Sequence, residues 1–288
     1  MTLDRPQIHT ILSQSLTYTP YDVKWLPCSA KVLCTGHLPN GRGILQLYEL
    51  DANKLEKVYE AEKTHAIKCC TFGASPLHLR HVATGDFEGR MAIYDVERME
   101  TPIYSVKAHD AIINCIDGCG GVGVNVGPPE IVTGSRDGSV KVWDPRQKDR
   151  PVAVIAPAKG EATRDAWAVA FGNSHTDEDR VLAAGYENGD IKLFDLKNMA
   201  LLYETNVKNG VCALEFDRRD IKMNKMVVAT LEATVQVLDL RTQHPKEGFA
   251  STKFKAEDNT TVWTVKHLPQ NRDVFMTSAG NGGINVFK

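Results

Sequence analysis

The sequence predicts an all-β propeller, a set of small antiparallel sheets arranged radially around one axis. Three observations predict it. A twelve-residue phrase, Gly134-Ser-Arg-Asp-Gly-Ser-Val-Lys-Val-Trp-Asp-Pro145, has looser copies along the whole chain. In each copy an aromatic residue or leucine follows a tight-turn position at a constant offset: Gly43/Tyr48, Gly89/Tyr94, Gly138/Trp143, Gly189/Phe194, Ala233/Leu238 and Gly282/Phe287. The second members lie 46, 49, 51, 44 and 49 residues apart, the period of a four-stranded propeller blade and too long for helical repeats such as ankyrin.

Each repeat opens with an inner strand: Val23 to Leu26, Ile67 to Phe72, Ile113 to Asp117, Ala166 to Phe171, Val211 to Phe216 and Val262 to His267. An apolar run then enters a turn, and an alternating stretch such as Val140-Lys-Val-Trp143 leaves it. That pattern is a hairpin. Asp137-Gly138, Asn188-Gly189, Asn281-Gly282 and Glu88-Gly89 place glycine where a two-residue hairpin turn needs a positive φ. Glu232-Ala233 breaks the rule, which predicts a different or strained turn in the fifth repeat, because Ala meets a steric cost there that Gly does not. A fourth strand follows in most repeats, as at Ile103 to Val106, Val152 to Ile155 and Leu201 to Tyr203.

The repeats occupy roughly residues 21–62, 63–109, 110–158, 165–207, 208–257 and 260–288. No linker separates them, so a single domain over residues 1–288 is expected. Each sheet buries its faces only against its neighbours, so the array is stable as a ring and weak where the ring is open.

With 34 basic and 36 acidic side chains the net charge is −2, which supplies no global field for nucleic acid or an anionic membrane. Arg146-Gln-Lys148 and Arg218-Arg219 have acidic neighbours and are expected to be solvated loop tips. Met1 to Pro6 lacks the apolar core of a secretory signal, and no apolar run reaches the length of a membrane helix. Seven cysteines, none in a CxxC spacing, fit a reducing compartment. A soluble cytoplasmic protein is expected, in which the Asn259-Thr-Thr261 sequon stays bare.

Several patterns imitate catalytic or ligand-binding motifs. Gly118-Cys-Gly-Gly-Val-Gly123 matches GxGxxG, but that motif needs a helix N-terminus directly downstream, and Gly127-Pro-Pro129 forbids one. A loop between strands is expected instead. His109, Thr133 or Ser135, Asp137 and Trp143 include the residue types of a Ser/His/Asp triad. In a propeller blade the same set forms one buried hydrogen-bond chain that ties the strands together, and this structural role is the expectation. His78 and His81 lack further ligands at metal-binding spacing. Cys69 and Cys70 are adjacent on a strand and must point to opposite faces. No catalytic, metal or cofactor site is expected.

Aligning the inner strands on Val23, Cys70, Ile116, Val169, Leu214 and Val265 puts Tyr21, Lys68, Asn114, Trp167, Cys212 and Trp263 at one equivalent position. If that position faces the mouth of the central channel, it presents two Trp and a Tyr beside a Lys, the composition of a protein-binding hot spot. The alternative is that both tryptophans pack between blades.

The repeats resemble those of the WD-repeat family, with Trp143-Asp144 as the one unmodified signature pair. Asp22 to Lys31, Ile131 to Asp137, Val142 to Asp149, Asn188 to Asp195, Lys208 to Cys212 and Arg241 to Pro245 resemble the dynein axonemal assembly factors within it. The similarity spans essentially the whole chain. It implies a cytoplasmic, non-enzymatic adaptor that works with the RuvB-like ATPase co-chaperone complex and prefoldin-like subunits, with dynein arm components as clients. The family resemblance also implies seven blades, whereas the sixth repeat here runs only to its third strand at Phe287-Lys288. A fragment or shortened form with a gap between first and last blades is expected. The alternative is a six-blade ring closed by Gln7 to Leu12 as an outer strand. A second functional reading is a substrate receptor of a cullin-RING ubiquitin ligase, since Trp143-Asp-Pro-Arg146 and Leu238-Asp-Leu-Arg241 resemble the WDxR box of such receptors. A propeller hydrolase would need clustered carboxylates or histidines around the channel, and the equivalent inner-strand positions offer none.

Overall fold

The computed structural model describes residues 8–52, 54–121, 127–147, 149–158, 160–173, 179–218, 221–244, 246–256 and 259–288. They form twenty-three strands and, among the described residues, no helix. The first blade holds β1 (Thr19–Trp25), β2 (Lys31–His37), β3 (Gly43–Asp51) and β4 (Lys54–Lys63). The second holds β5 (Ile67–Thr71), β6 (His81–Asp86), β7 (Arg90–Asp95) and β8 (Tyr104–Lys107). The third holds β9 (Ile113–Cys119), β10 (Glu130–Ser135), β11 (Val140–Trp143) and β12 (Ala153–Ile155). The fourth holds β13 (Ala166–Gly172), β14 (Val181–Tyr186), β15 (Asp190–Asp195) and β16 (Ala200–Asn206). The fifth holds β17 (Val211–Phe216), β18 (Lys225–Thr230), β19 (Thr234–His244) and β20 (Gly248–Lys255). The sixth holds β21 (Val262–Leu268), β22 (Asn271–Ala279) and β23 (Ile284–Phe287). Every sheet is an antiparallel meander in chain order, and the whole is a six-bladed β-propeller.

The turn chemistry sets the hairpins. Gly89, Gly138, Gly189 and Gly282 have φ of 74°, 79°, 90° and 84°, and Ala233 takes the same left-handed backbone at 58°. The strained fifth turn is therefore present. The first repeat departs from the expected pattern: Gly43 is not the turn residue but the start of β3, where a Cβ would collide with the His65 carbonyl. There the left-handed residue is Gly41, at 82°, in a longer loop closed by a 2.8 Å bond from the Leu38 amide to the Arg42 carbonyl.

The middle strands of the blades are apolar on both faces because both faces meet a neighbouring blade. Five apolar clusters fill the seams in turn. Leu33, Leu45, Cys70 and Val82 join the first and second blades, and Cys69, Met91, Ile113 and Trp143 join the second and third. Val132, Val140, Phe171 and Leu182 join the third and fourth, Leu193, Val211, Phe216 and Met226 the fourth and fifth, and Val227, Val235, Val262 and Phe275 the fifth and sixth. Cys69 and Cys70 thus serve different seams, as strand alternation requires.

Inner strands of adjacent blades diverge and do not pair, which leaves amides on the channel side in need of acceptors. At three seams a carboxylate from the preceding blade supplies one. Asp22 accepts the Cys70 amide at 2.9 Å, Asp117 the Phe171 amide at 2.9 Å, and Glu215 the His267 amide at 2.7 Å.

The sixth seam is different. The sixth cluster, Tyr18, Cys34, Ile44 and Tyr48 with Leu16, covers the free face of the first blade using the residues that lead into it. Val23 and Trp25 on β1 remain 60% exposed, and Ile284 and Val286 on β23 are 48% and 41% exposed. Among the described residues no packing on the scale of the other seams joins β21 to β1. Residues 8–12 lie in no strand, and β23 is the edge of a three-stranded sheet, so those residues do not close the ring; Gln7 lies outside the described residues.

Candidate protein-binding site at the channel mouth

The six aligned residues share a structural device. In every inner strand the pairing register skips one residue, and the skipped residues are Tyr21, Lys68, Asn114, Trp167, Cys212 and Trp263. A bulge leaves its extra residue outside the ladder and re-aims its side chain. Here six equivalent bulges turn their side chains into one cavity of about 730 Å³ on the axis, whose lining includes all six.

The turns beside the bulges are locked in the same repeated way. The residue after the second strand donates its amide to the carbonyl just before the inner strand, in Phe87 to Ala66, Arg136 to Ile112, Glu187 to Asp165, Leu231 to Gly210 and Gly280 to Thr261, at 2.9–3.1 Å. Of these turn residues, Phe87 meets the cavity-lining Tyr21. Alignment of the inner strands did not reveal them, although an aromatic in the turn Asp86-Phe87-Glu88-Gly89 was the available signal.

On the first and second blades the mouth is aromatic and cationic. Tyr21 stacks on His37 at 5.4 Å and meets Phe87 at 5.3 Å, and the Lys68 ammonium lies 4.6 Å from the centre of the Tyr21 ring. Asn114 donates to the Ala166 carbonyl at 3.2 Å, tying the third blade to the fourth. Trp167 is half-buried and lies over Gly210, where a Cβ would come within 2.6 Å of the indole. Burial pushes the Cys212 thiol up to about 12. Trp263 is 56% exposed. Trp167 therefore both packs and lines the cavity, while Trp263 lines it with more than half of its surface exposed.

The triad-like set is brought together, but inside the third blade. His109, Thr133, Ser135 and Trp143 are fully buried. In the tautomer protonated at Nδ1, His109 donates to Asp137 at 3.0 Å and accepts at Nε2 from the Thr133 hydroxyl at 2.8 Å, which in turn accepts the Trp143 indole N–H at 3.0 Å. Ser135 stands outside the chain; its hydroxyl donates to the Ala111 carbonyl at 3.3 Å and accepts the Asp137 amide at 3.1 Å. Burial alone would raise the Asp137 carboxyl, but hydrogen bonds from His109 and Ser139 outweigh it and hold the group far below the usual range.

The remaining motifs take structural places. Gly118 is the last residue but one of β9, and a Cβ on Gly118 or Gly121 would collide with the backbone of Ala74 or Ser75, so the second and third blades meet here through glycine; Val122 and Gly123 lie outside the described residues. His81 begins β6, and His78 sits in the exposed turn before it.

The WD domain, G-beta repeat family matches residues 100–144. A chain in the crystal structure of the mitotic checkpoint complex superposes with a TM-score of 0.74 at 15% identity, over 96% of this chain and 80% of that one, a likeness of fold alone. Proteins named dynein axonemal assembly factor 10 are far more similar. The Xenopus laevis protein is 58% identical over 286 residues, the Homo sapiens protein 56% over 285 and the Chlamydomonas reinhardtii protein 52% over 285, each match spanning 99% of this chain and 80% of the relative. The chain belongs to the dynein axonemal assembly factor 10 family. This agrees with the sequence segments quoted above, which resemble the Monad type of WD-repeat protein.

In this member of the dynein axonemal assembly factor 10 family, both WDxR-like arginines fold back on their own aspartates. Arg146 grips Asp144 at 2.9 and 2.7 Å, and Arg241 approaches Asp239 at 2.9 Å, with both guanidinium groups largely exposed.

Proposed function

We propose that the chain is a non-enzymatic adaptor in the preassembly of axonemal dynein, acting in the cytoplasm with the RuvB-like ATPase co-chaperone complex and prefoldin-like subunits, and that the channel mouth is its docking surface. The observation that carries this reading is identity above half, over 99% of the chain, to proteins named as dynein axonemal assembly factors.

The mouth supports it. Bulged Trp, Tyr and Lys side chains around a concave opening are the residue types that dominate protein interfaces. Among the described residues, the charged side chains lining the cavity are Asp22, Lys68 and Lys266. Asp22 is held by Lys24 and the Cys70 amide, and Lys266 pairs with Glu215 at 2.8 Å. Neither is placed as an acid–base pair for turnover, and the buried Thr133 hydroxyl cannot meet a substrate.

Affinity purification of the tagged chain from ciliated cells, read by mass spectrometry, tests the assignment. Enrichment of the ATPase and prefoldin-like subunits is the expected result. Enrichment of cullin adaptor subunits in their place would assign the chain to a ubiquitin ligase, with Arg146 and Arg241 as the residues to examine.

A further inference from the structure

We infer that the channel mouth receives an extended peptide segment that sets a carboxylate over Lys68 and an aromatic or aliphatic side chain against Trp167 and Trp263. This rests on the docking reading above and adds the chemistry of the occupant.

Charge decides the first half. Of the charged side chains in the cavity, Asp22 and Lys266 already have ionic partners. Lys68 has none among the described residues; its ammonium lies against the Tyr21 ring, which offers a weak attraction and leaves the far side open. A half-buried ammonium without an ionic partner gains most from an anion, and a charge-assisted hydrogen bond there is stronger than a neutral one. Arg136 is occupied by Asp165 at 3.2 Å. In the second blade's own turn the Asp86 carboxylate accepts the Glu88 and Arg90 amides at 2.9 and 2.7 Å, so it is engaged by its own turn, while Glu88 is a second carboxylate there. The unpaired Lys68 ammonium is therefore the group inside the cavity that draws an acidic side chain.

Shape and surface decide the rest. Ile116, Val169, Leu214 and Val265 line the same cavity as the two tryptophans, so much of its wall is apolar. A space of about 730 Å³ accepts a few residues of an extended chain, and its bulged rim keeps a flat protein face from reaching the bottom.

Selection of random twelve-residue peptides displayed on phage against the full chain tests this, repeated with the Lys68→Glu and Lys68→Met variants. The wild type is expected to enrich Asp or Glu next to an aromatic or large aliphatic residue. Lys68→Glu is expected to replace the acidic residue by Lys or Arg while keeping the apolar one. For a selected peptide measured by fluorescence anisotropy, Lys68→Met should weaken binding at least about tenfold, the scale of one lost charge-assisted bond. Three results would overturn the inference: no enriched peptide, enrichment without acidic residues, or the same acidic motif with Lys68→Glu. Partner capture that depends on Trp167 and Trp263 but ignores charge at Lys68 would leave the docking reading standing and remove this one.

Discussion

Ala233 occupies a backbone that glycine fills in four other blades, and magnitudes explain why it is tolerated. A left-handed φ costs an alanine about 1–2 kcal/mol. Its methyl group is 1% exposed, within the cluster that joins the fifth and sixth blades, and burying a methyl returns about 0.8 kcal/mol. Glycine would also enlarge the unfolded chain's freedom by about 0.4–1 kcal/mol. Ala233→Gly is thus expected to change stability by less than about 0.5 kcal/mol in urea titration. Gly138→Ala is expected to lose about 2 kcal/mol, because its Cβ would add a 2.7 Å contact with Thr163 to the same backbone strain. Asp137→Ala strands the buried His109 ring and should cost about 1–3 kcal/mol by the same titration, without altering partner capture. That hydrogen-bonded set was legible in the sequence because its residue types recur at fixed strand positions. The choice between Thr133 and Ser135 was not. Both lie on one face of β10, and only the register shift after Gly134, which hands Ser135 to the Ala111 carbonyl, separates them.

At the scale of strands and seams, periodicity located most inner strands to within a few residues, and Val211–Phe216 coincides at both ends. It also placed six residues at one equivalent position. It could not show that each is a bulge, because a skipped residue changes backbone pairing without leaving a mark in residue type. The long outer strands β4 and β20 were also missed. Their burial patterns are mostly exposed, so they lack the apolar alternation that marks a strand. The seam between the fifth and sixth blades depends on a buried ionic group. Burial would raise the Glu215 carboxyl, but the Lys266 ammonium and the hydrogen bonds from His267 and Lys266 bring it down to about 2. A carboxylate depressed in the folded state stabilises fully above its ordinary value of about 4.5 and loses that contribution as pH falls toward about 2. Wild-type stability in urea should decline through this window. Glu215→Gln should be weaker by about 1–3 kcal/mol at neutral pH and should fall less steeply in acid, since it takes the anion from His267 while the Lys266 ammonium, 53% exposed, keeps its water.

Among the described residues of the whole molecule, five seams are closed by apolar clusters and the first and sixth blades are left as an open wedge. The apolar faces of the first and sixth blades that flank the wedge carry Val23, Trp25, Ile284 and Val286, and exposed patches of this kind drive association. Replacing these four with lysine should lower concentration-dependent light scattering of the 288-residue chain while leaving its five seams intact. Unchanged scattering would mean the wedge faces do not mediate association. The proposed docking mouth has the opposite quality, side chains that recognise over an interior that holds shape. Quantitative mass spectrometry of partners captured by the Trp167→Ala/Trp263→Ala variant, beside its melting curve, tests it most directly. The expected result is a folded protein with a melting midpoint within a few degrees of wild type, as suits one half-buried and one exposed ring, and with partner capture lost. A variant that unfolds, or one that stays folded and captures the same partners, would contradict the account.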